Sequence, residues 1–430
     1  LENQPTHPES VLPANWASKF FIIWGGQAFS LVGSALVQFA LVWWLTQKTG
    51  SATILATASL VALLPQIILG PFVGALVDRW DRRLIMIVAD TSIALATGIL
   101  IFLFLTDMVQ VWHVYIILMA RSLGGAFHSP AMTSSTSLMV PNKHLARVAG
   151  MNQTLQGIIS IFAPPLGALL LGLMSTGHVL FVDIGTAALA VIPLFFIPIP
   201  QPPRQIAITE GTEKKASYWH DLKEGYSYVI KWPGLLGIIL LAMAINFLLN
   251  PASSLTPLFV RKIFNGGVQE LGWVESVFGI GVILGGMILS VWGGFKRRIV
   301  TSFTGIIGIG IGVILIGLTP SNLFWLLLLG NLILGVTQVF ANGPLSAIFQ
   351  ATIAPDMQGR VFSLIGAGAT AMMPLSLLVA GPVSDWLGIR TWFLFGGILC
   401  ILMTVMAFFN PIIINIEENR QKQPVEPLAS

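Results

Sequence analysis

Long apolar runs alternate with short polar gaps along this chain, with no two-residue alternation inside the runs. A bilayer-spanning helix needs about 20 mostly apolar residues, because each residue rises about 1.5 Å across a hydrocarbon core of about 30 Å. Backbone groups in lipid must be satisfied within their own segment, so continuous runs of this length read as helices. A barrel would show short alternating strands instead. The pattern predicts twelve spans, at residues 18–46, 52–77, 84–106, 110–138, 148–174, 178–199, 234–258, 269–293, 300–318, 322–350, 360–386 and 391–414. The chain then divides into a polar N-terminal tail (1–17), a six-helix bundle (18–199), a linker (200–233), a second six-helix bundle (234–414) and a polar C-terminal tail (415–430). The linker opens Pro-rich, carries mixed charge and shows an amphipathic helical pattern from Tyr218 to Tyr228.

Composition supports lipid as the solvent. Of 430 residues 55% are hydrophobic and 9% charged, against about 25% charged in an ordinary soluble domain. Such a chain cannot cover itself with polar surface, which excludes a soluble enzyme, a nucleic-acid-binding module and a disordered scaffold. The net charge is only +4, with the basic residues in short loops rather than along one face. If both termini lie on one side, that side holds 17 of the 22 Lys and Arg residues. The excess of Lys and Arg in cytoplasmic loops therefore places both termini in the cytoplasm. Cys400 is the only cysteine, so no intrachain disulfide forms. The sequence has no G-x-x-x-x-G-K-[ST] phosphate loop, no metal-ligand spacing among its His and Cys residues, and no G-x-S-x-G nucleophile elbow. Neither a metal site nor a cofactor is expected, and the chain reads as a non-enzyme.

The two halves repeat. Pro130 and Pro141 recur as Pro344 and Pro355, and Gly167 recurs as Gly381, all at an offset of 214. Arg82-Arg83 recurs as Arg297-Arg298 at 215, and Arg147-Val148 as Arg360-Val361 at 213. One offset held over loops and spans points to duplication. Two similar six-span halves suit a transporter that rocks one half against the other around a midplane site.

The loop after span 2 reads Gly74-Ala75-Leu76-Val77-Asp78-Arg79-Trp80-Asp81-Arg82-Arg83. It sets a Gly where helices approach, an acid at a helix end and bases after it. Such charges can face helix termini and make contacts that exist in one conformation only; fixing topology is the plainer alternative. The loop resembles G-x-x-x-D-R-x-x-R-[RK], the signature of the major facilitator superfamily. The run Ile117–Gly125, with Arg121 and Gly125 four apart, is similar to that superfamily's antiporter motif in span 4. Ala163-Pro164-Pro165-Leu166-Gly167 resembles its G-P-x-x-G motif with Ala for the first Gly. The second-half loop keeps Lys296, Arg297 and Arg298 without the Gly and Asp. From Trp16 to Asn415 the text resembles bacterial macrolide-efflux proteins of the drug:proton antiporter branch, most closely at FFIIWGGQAFSL (20–31), TQKTGSA (46–52), RSLGGAFHSPA (121–131) and GRVFSLIGA (359–367).

Ionisable groups inside spans are functional candidates by default. Arg121 sits in span 4, and the resemblance implies a part in proton coupling. His128 lies two turns further along that helix, with an ordinary pKa near 6.5 suited to a relay. Glu275 lies about two turns into span 8 and is a candidate proton or cation acceptor. Asp183 lies near the outer end of span 6 and is a candidate coupling acid. Asp90, near the inner end of span 3, is expected to partner the arginines of the signature loop.

The resemblance implies that spans 1, 4, 7 and 10 line a central cavity. Their polar residues are Gln38, Arg121, His128, Asn246, Asn250, Asn331, Gln338 and Asn342. A few amides in an apolar wall suit a large amphipathic substrate, although each amide could equally bond helix to helix. The expected protein is thus an all-α, twelve-helix monomer of the bacterial inner membrane, built as two pseudo-symmetric bundles. It exports hydrophobic drugs, macrolides foremost, by proton antiport, with no nucleic-acid partner. Glu275 or Asp183 takes up a proton with Arg121 as electrostatic partner. Gly74, Asp78, Arg79, Arg82 and Arg83 form the inner gate, Asp78 pointing toward the start of span 11 near Arg360. A siderophore exporter of the same superfamily and a non-transporting partner of a separate ATPase are the alternatives.

Overall fold

The computed structural model describes residues 15–77, 80–201, 218–354 and 357–419. Among the described residues there are helices and no strands. In chain order the helices are α1 (Trp16–Thr49), α2 (Ala52–Val77), α3 (Arg82–Leu105), α4 (Val111–Met139), α5 (Asn142–Leu173), α6 (Thr176–Val179), α7 (Phe181–Phe196) and α8 (Tyr218–Lys231). They continue as α9 (Pro233–Phe264), α10 (Val268–Trp292), α11 (Arg298–Leu318), α12 (Phe324–Thr352), α13 (Gln358–Leu387), α14 (Ile389–Phe408), α15 (Pro411–Ile414) and α16 (Ile416–Asn419).

Eleven described segments are long and apolar enough to cross a membrane. The predicted span 110–138 is α4, which has the length, 29 residues, but not the apolarity. Arg121, His128 and the hydroxyl residues from Ser129 to Ser137 dilute it. The predicted span 178–199 is met by α6 and α7, which form one apolar stretch Thr176–Phe196 with Leu180 between them in right-handed helical conformation. Several helices overrun their predicted ends. α5 begins at Asn142 and α9 runs to Phe264, where Asn265 closes it in the left-handed conformation. Hydropathy marks where lipid ends, whereas the helical hydrogen bonds continue past it.

The helices form two compact units. One takes the chain up to Leu41, Val61–Ala163 and Leu173–Ile208; the other takes Val42–Leu60, Pro164–Gly172 and the chain from Thr209. The division therefore crosses α1, α2 and α5 rather than following the linker. Packing inside the second unit explains this. A side chain at Gly381 of α13 would meet Thr53 and Ala56 of α2, and one at Gly272 would meet Ala168 of α5. Leu377 joins Ala56 and Leu60 in one apolar cluster.

In the first unit the core runs through Phe20, Ile23, Val73, Met86, Ala131 and Leu194. α3 shows how its sequence orients it. Val88, Leu95, Ile99 and Phe102 form an exposed apolar stripe for lipid, while Met86, Asp90, Thr97 and Leu100 turn inward. In the second unit Trp232, Leu235, Phe303, Ile348 and Val361 tie α9, α11, α12 and α13 together. The predicted amphipathic segment Tyr218–Tyr228 falls in α8, which docks on this core. There Ala354 donates its N–H to Tyr228 Oη at 3.3 Å, and Arg360 Nη1 lies 2.7 Å from Glu224.

Candidate functional site

Arg121 and Asp183 meet inside the first unit. Nη1 of Arg121 is 2.5 Å from Oδ2 of Asp183, and Nη2 is 3.3 Å from Oδ1. Asp183 stands in the first turn of α7, where a negative charge complements the helix dipole. Thr97 donates to its Oδ2 at 2.7 Å and Ser34 to its Oδ1 at 3.2 Å, while Arg121 also donates to Thr97. The carboxylate is 1% exposed and holds donors from α1, α3 and α4. A buried ion pair is tolerable when its remaining lone pairs are satisfied in this way.

Asp90 lies two turns before Thr97 on the same face of α3. The expectation that it partners the arginines of the signature loop is corrected by its contacts. Gln27 of α1 donates Nε2–H to Asp90 Oδ2 at 3.0 Å, and Nε2 of His128 of α4 lies 3.5 Å from Oδ1. The arginines instead reach carbonyls near helix ends. Arg82 Nη1 donates to Ser134 at 3.2 Å; Arg83 Nε donates to Leu194, and Arg83 Nη2 to Phe195 at 2.6 Å. Helix geometry separates the groups, since Arg82 and Arg83 sit in the first turn of α3 and Asp90 two turns deeper. Asp81 caps α3 by accepting Leu84 N–H at 3.0 Å.

Asp90, His128 and Arg121 line a cavity of about 250 Å³ in the first unit, together with Gln27, Gln38 and Gln66. A second cavity, of about 430 Å³, lies in the second unit. It contains five of the six amides expected to contact substrate, Asn246, Asn250, Asn331, Gln338 and Asn342, together with Glu275. Gln38 belongs to the first cavity instead. Phe278, Phe393, Ile306 and Leu345 supply apolar wall. Three of the amides also bond their own helix one turn back: Asn246 to Ala242, Asn331 to Leu327 and Asn342 to Gln338. Each keeps its amide oxygen as an acceptor. Among the described residues Glu275 has no hydrogen-bond or ion-pair partner.

Of the gate residues, Asp78 and Arg79 lie outside the described residues, as do the surroundings of Gly74. Arg360 pairs with Glu224 of α8. Sequence reasoning missed Asp385, near the end of α13. Its carboxylate accepts Ala52 N–H at 2.8 Å, Thr53 N–H at 2.9 Å and the Ser51 hydroxyl at 2.7 Å, capping the start of α2 from another helix. Lys262 lies 3.9 Å away. A signal was present, because Gly381 to Asp385 repeats the G-x-x-x-D spacing of Gly74 to Asp78. Among the described residues no cluster of His, Cys, Asp or Glu could hold a metal ion.

The sequence profile of the Major Facilitator Superfamily matches the chain over residues 23–267 and again over 235–428. Macrolide efflux protein A of Streptococcus pyogenes is 35% identical over 393 residues, covering 91% of this chain and 96% of that protein. Macrolide efflux protein A of Enterococcus faecalis is 33% identical, covering 76% of this chain and 100% of its own length. Among solved structures, the nucleoside transporter NupG aligns with a TM-score of 0.68 at 15% identity, over 92% of this chain and 99% of that one. That likeness establishes the shared fold alone.

Proposed function

We propose, from the premise that this chain belongs to the macrolide-efflux family of the major facilitator superfamily, that it exports macrolides by proton antiport across a bacterial inner membrane. The coarser statement, a membrane-embedded drug-efflux transporter, follows from its relatives. On the finer reading α4 is a twelfth span, both termini are cytoplasmic, and the chain works as a monomer by alternating access. Its power source is the proton-motive force, with no cofactor.

The observation that carries this reading is Glu275 in the second-unit cavity. A carboxylate without a partner among the described residues is set among five amides and an apolar wall. Macrolides are large, apolar and rich in hydroxyl and carbonyl groups, and many carry one basic amine. The amides suit the oxygens, the aromatic and aliphatic wall suits the ring, and Glu275 suits the ammonium. A cavity that is mostly apolar with a few placed polar groups is the usual form of a drug site. Glu275 then holds either the drug cation or a proton, so that one displaces the other. In the first unit, Arg121 and Asp183 form a charge pair whose rearrangement accompanies the conformational switch. Asp78 and Arg82 latch the inner side on this reading.

The test is macrolide accumulation in cells that express the wild type or Glu275→Gln, with and without an uncoupler. The wild type keeps accumulation low until the uncoupler is added. Glu275→Gln accumulates the drug to the uncoupled level while remaining inserted in the membrane. Low accumulation in the mutant, or indifference of the wild type to the uncoupler, would contradict the proposal.

A further inference from the structure

The first-unit cavity is unusual in what it leaves unmatched. Gln27 Oε1, Ser122 Oγ and His128 Nε2 are buried without a hydrogen-bond partner among the described residues, and all three residues line this one cavity. Buried polar atoms are nearly always satisfied, so three orphans that converge on one space point to a ligand that enters it. Gln27 is 3% exposed and Asp90 5%.

The ligand is small and cationic by the chemistry of the donors. Asp90 is an acceptor, Gln27 offers a spare carbonyl oxygen, and the His128 ring nitrogen lies 3.5 Å from Asp90 Oδ1, too long for a good hydrogen bond. The other acid of the unit, Asp183, is unsuited to the same task because Arg121, Thr97 and Ser34 already occupy its lone pairs. We infer that Gln27, Asp90 and His128 form a proton-binding site in the first unit, distinct from the drug cavity, that takes up one coupling proton per transport cycle. This rests on the proton-antiport reading above and adds a site to it.

The step is a simple transfer. A hydronium ion gives up one O–H bond and leaves as water, and the Asp90–His128 pair gains one proton and one positive charge. The proton bridges the Asp90 carboxylate and the His128 imidazole, whose Oδ1 and Nε2 lie 3.5 Å apart. Gln27 serves both states: its N–H₂ donates to the charged carboxylate, and its carbonyl oxygen accepts from the protonated one after a half-turn of the amide.

Among the described residues that line the cavity, the other charged group, Arg121, is already engaged. α1 contributes Gln27 and Ser30, and α2 contributes Gln66, all uncharged. α4 contributes Arg121, already paired with Asp183 of α7. His113 of α4 bonds the Gln110 N–H, and His178 of α6 bonds Ser175, both at the opposite end of the unit. On α3 itself Arg82 and Arg83 are engaged by carbonyls of Ser134 and Leu194.

The test uses the full-length protein in proteoliposomes with erythromycin as probe. Two readings are taken for each variant: accumulation driven by a pH gradient of about one unit, worth about tenfold per proton, and drug–drug exchange without a gradient. Asp90→Asn is expected to lose the gradient-driven accumulation while its exchange falls much less and no longer varies with pH. Asp90→Glu is expected to restore both the accumulation and the pH dependence. His128→Gln, which keeps a polar side chain, is expected to move the midpoint of the pH profile. Asp90→Asn that accumulates drug like the wild type would overturn the site. So would equal loss of accumulation and exchange in Asp90→Asn, Asp90→Glu and His128→Gln, which marks a structural role. A wild type that exchanges drug but ignores the gradient would instead overturn the proton-antiport reading, and this site with it.

Discussion

Arg121 is a charge in a helix that must lie among apolar neighbours, and it is stable there because Asp183 and Thr97 meet it. Removing one partner of a buried pair leaves the other charge uncompensated, which costs about 3–5 kcal/mol, whereas replacing both by apolar groups is often neutral. Arg121→Met and Asp183→Leu should therefore each lower the melting temperature in a fluorescence-detected thermal scan. The double mutant should recover much of the loss in stability and none of the transport. A double mutant no more stable than either single mutant would contradict the pairing as the source of the effect. The sequence made Arg121, Asp183 and Glu275 legible because an ion inside an apolar run stands out. The expectation of Arg121 as electrostatic partner left Asp183 and Glu275 as alternatives, and the fold chooses between them by joining Arg121 to Asp183 across 62 residues. Asp90 shows the converse. Proximity in sequence to Arg82 and Arg83 suggests a partnership, but the helix carries its side chain two turns inward to Gln27 and His128.

Helices in lipid gain nothing from hydrophobic exclusion against one another, so close backbone contact carries more of the packing. α10 and α12 show it. A Cβ at Gly281 would sit 2.6 Å from the Leu332 carbonyl oxygen, one at Gly285 2.5 Å from that of Val336, and one at Gly335 against that of Phe278. Gly366 of α13, by contrast, faces open space. Gly335→Ala should reduce the yield of folded protein on size-exclusion chromatography, since backbone cannot yield to the methyl group. Gly366→Ala should instead be neutral or stabilise by about 0.4–1 kcal/mol through the unfolded chain. Equal behaviour of the two would refute the distinction. The Asp385 cap is a second element-scale prediction. Asp385→Ala removes acceptors for Ser51, Ala52 and Thr53 and should cost about 0.5–2 kcal/mol, as lost N-caps do. Asp385→Asn, which keeps one acceptor oxygen, should cost less in the same thermal scan. Helix existence was legible from hydropathy alone. The helix ends were not, because hydropathy marks where lipid ends while the helical hydrogen bonds continue past it, as in α5 and α9.

At the scale of the whole molecule, the number and kind of elements follow from composition, and the duplication follows from one repeated offset. The grouping of Val42–Leu60 and Pro164–Gly172 with the second unit could not be read in advance, because it depends on small residues such as Gly381 and Gly272 meeting distant helices. Each unit holds a cavity. One is polar with orphaned hydrogen-bonding atoms, and the other is larger, lined with amides and apolar side chains around Glu275. Protons belong to the first on the proposed mechanism and drug to the second, with Glu275 sensing both. Coupling then requires that drug move one way as protons move the other. It is measured by placing the purified chain in vesicles that enclose a pH-sensitive dye, imposing a pH gradient and adding erythromycin. The drug is expected to accelerate collapse of the gradient in these vesicles and not in protein-free ones. Erythromycin that crosses with no change in the dye signal would contradict proton antiport.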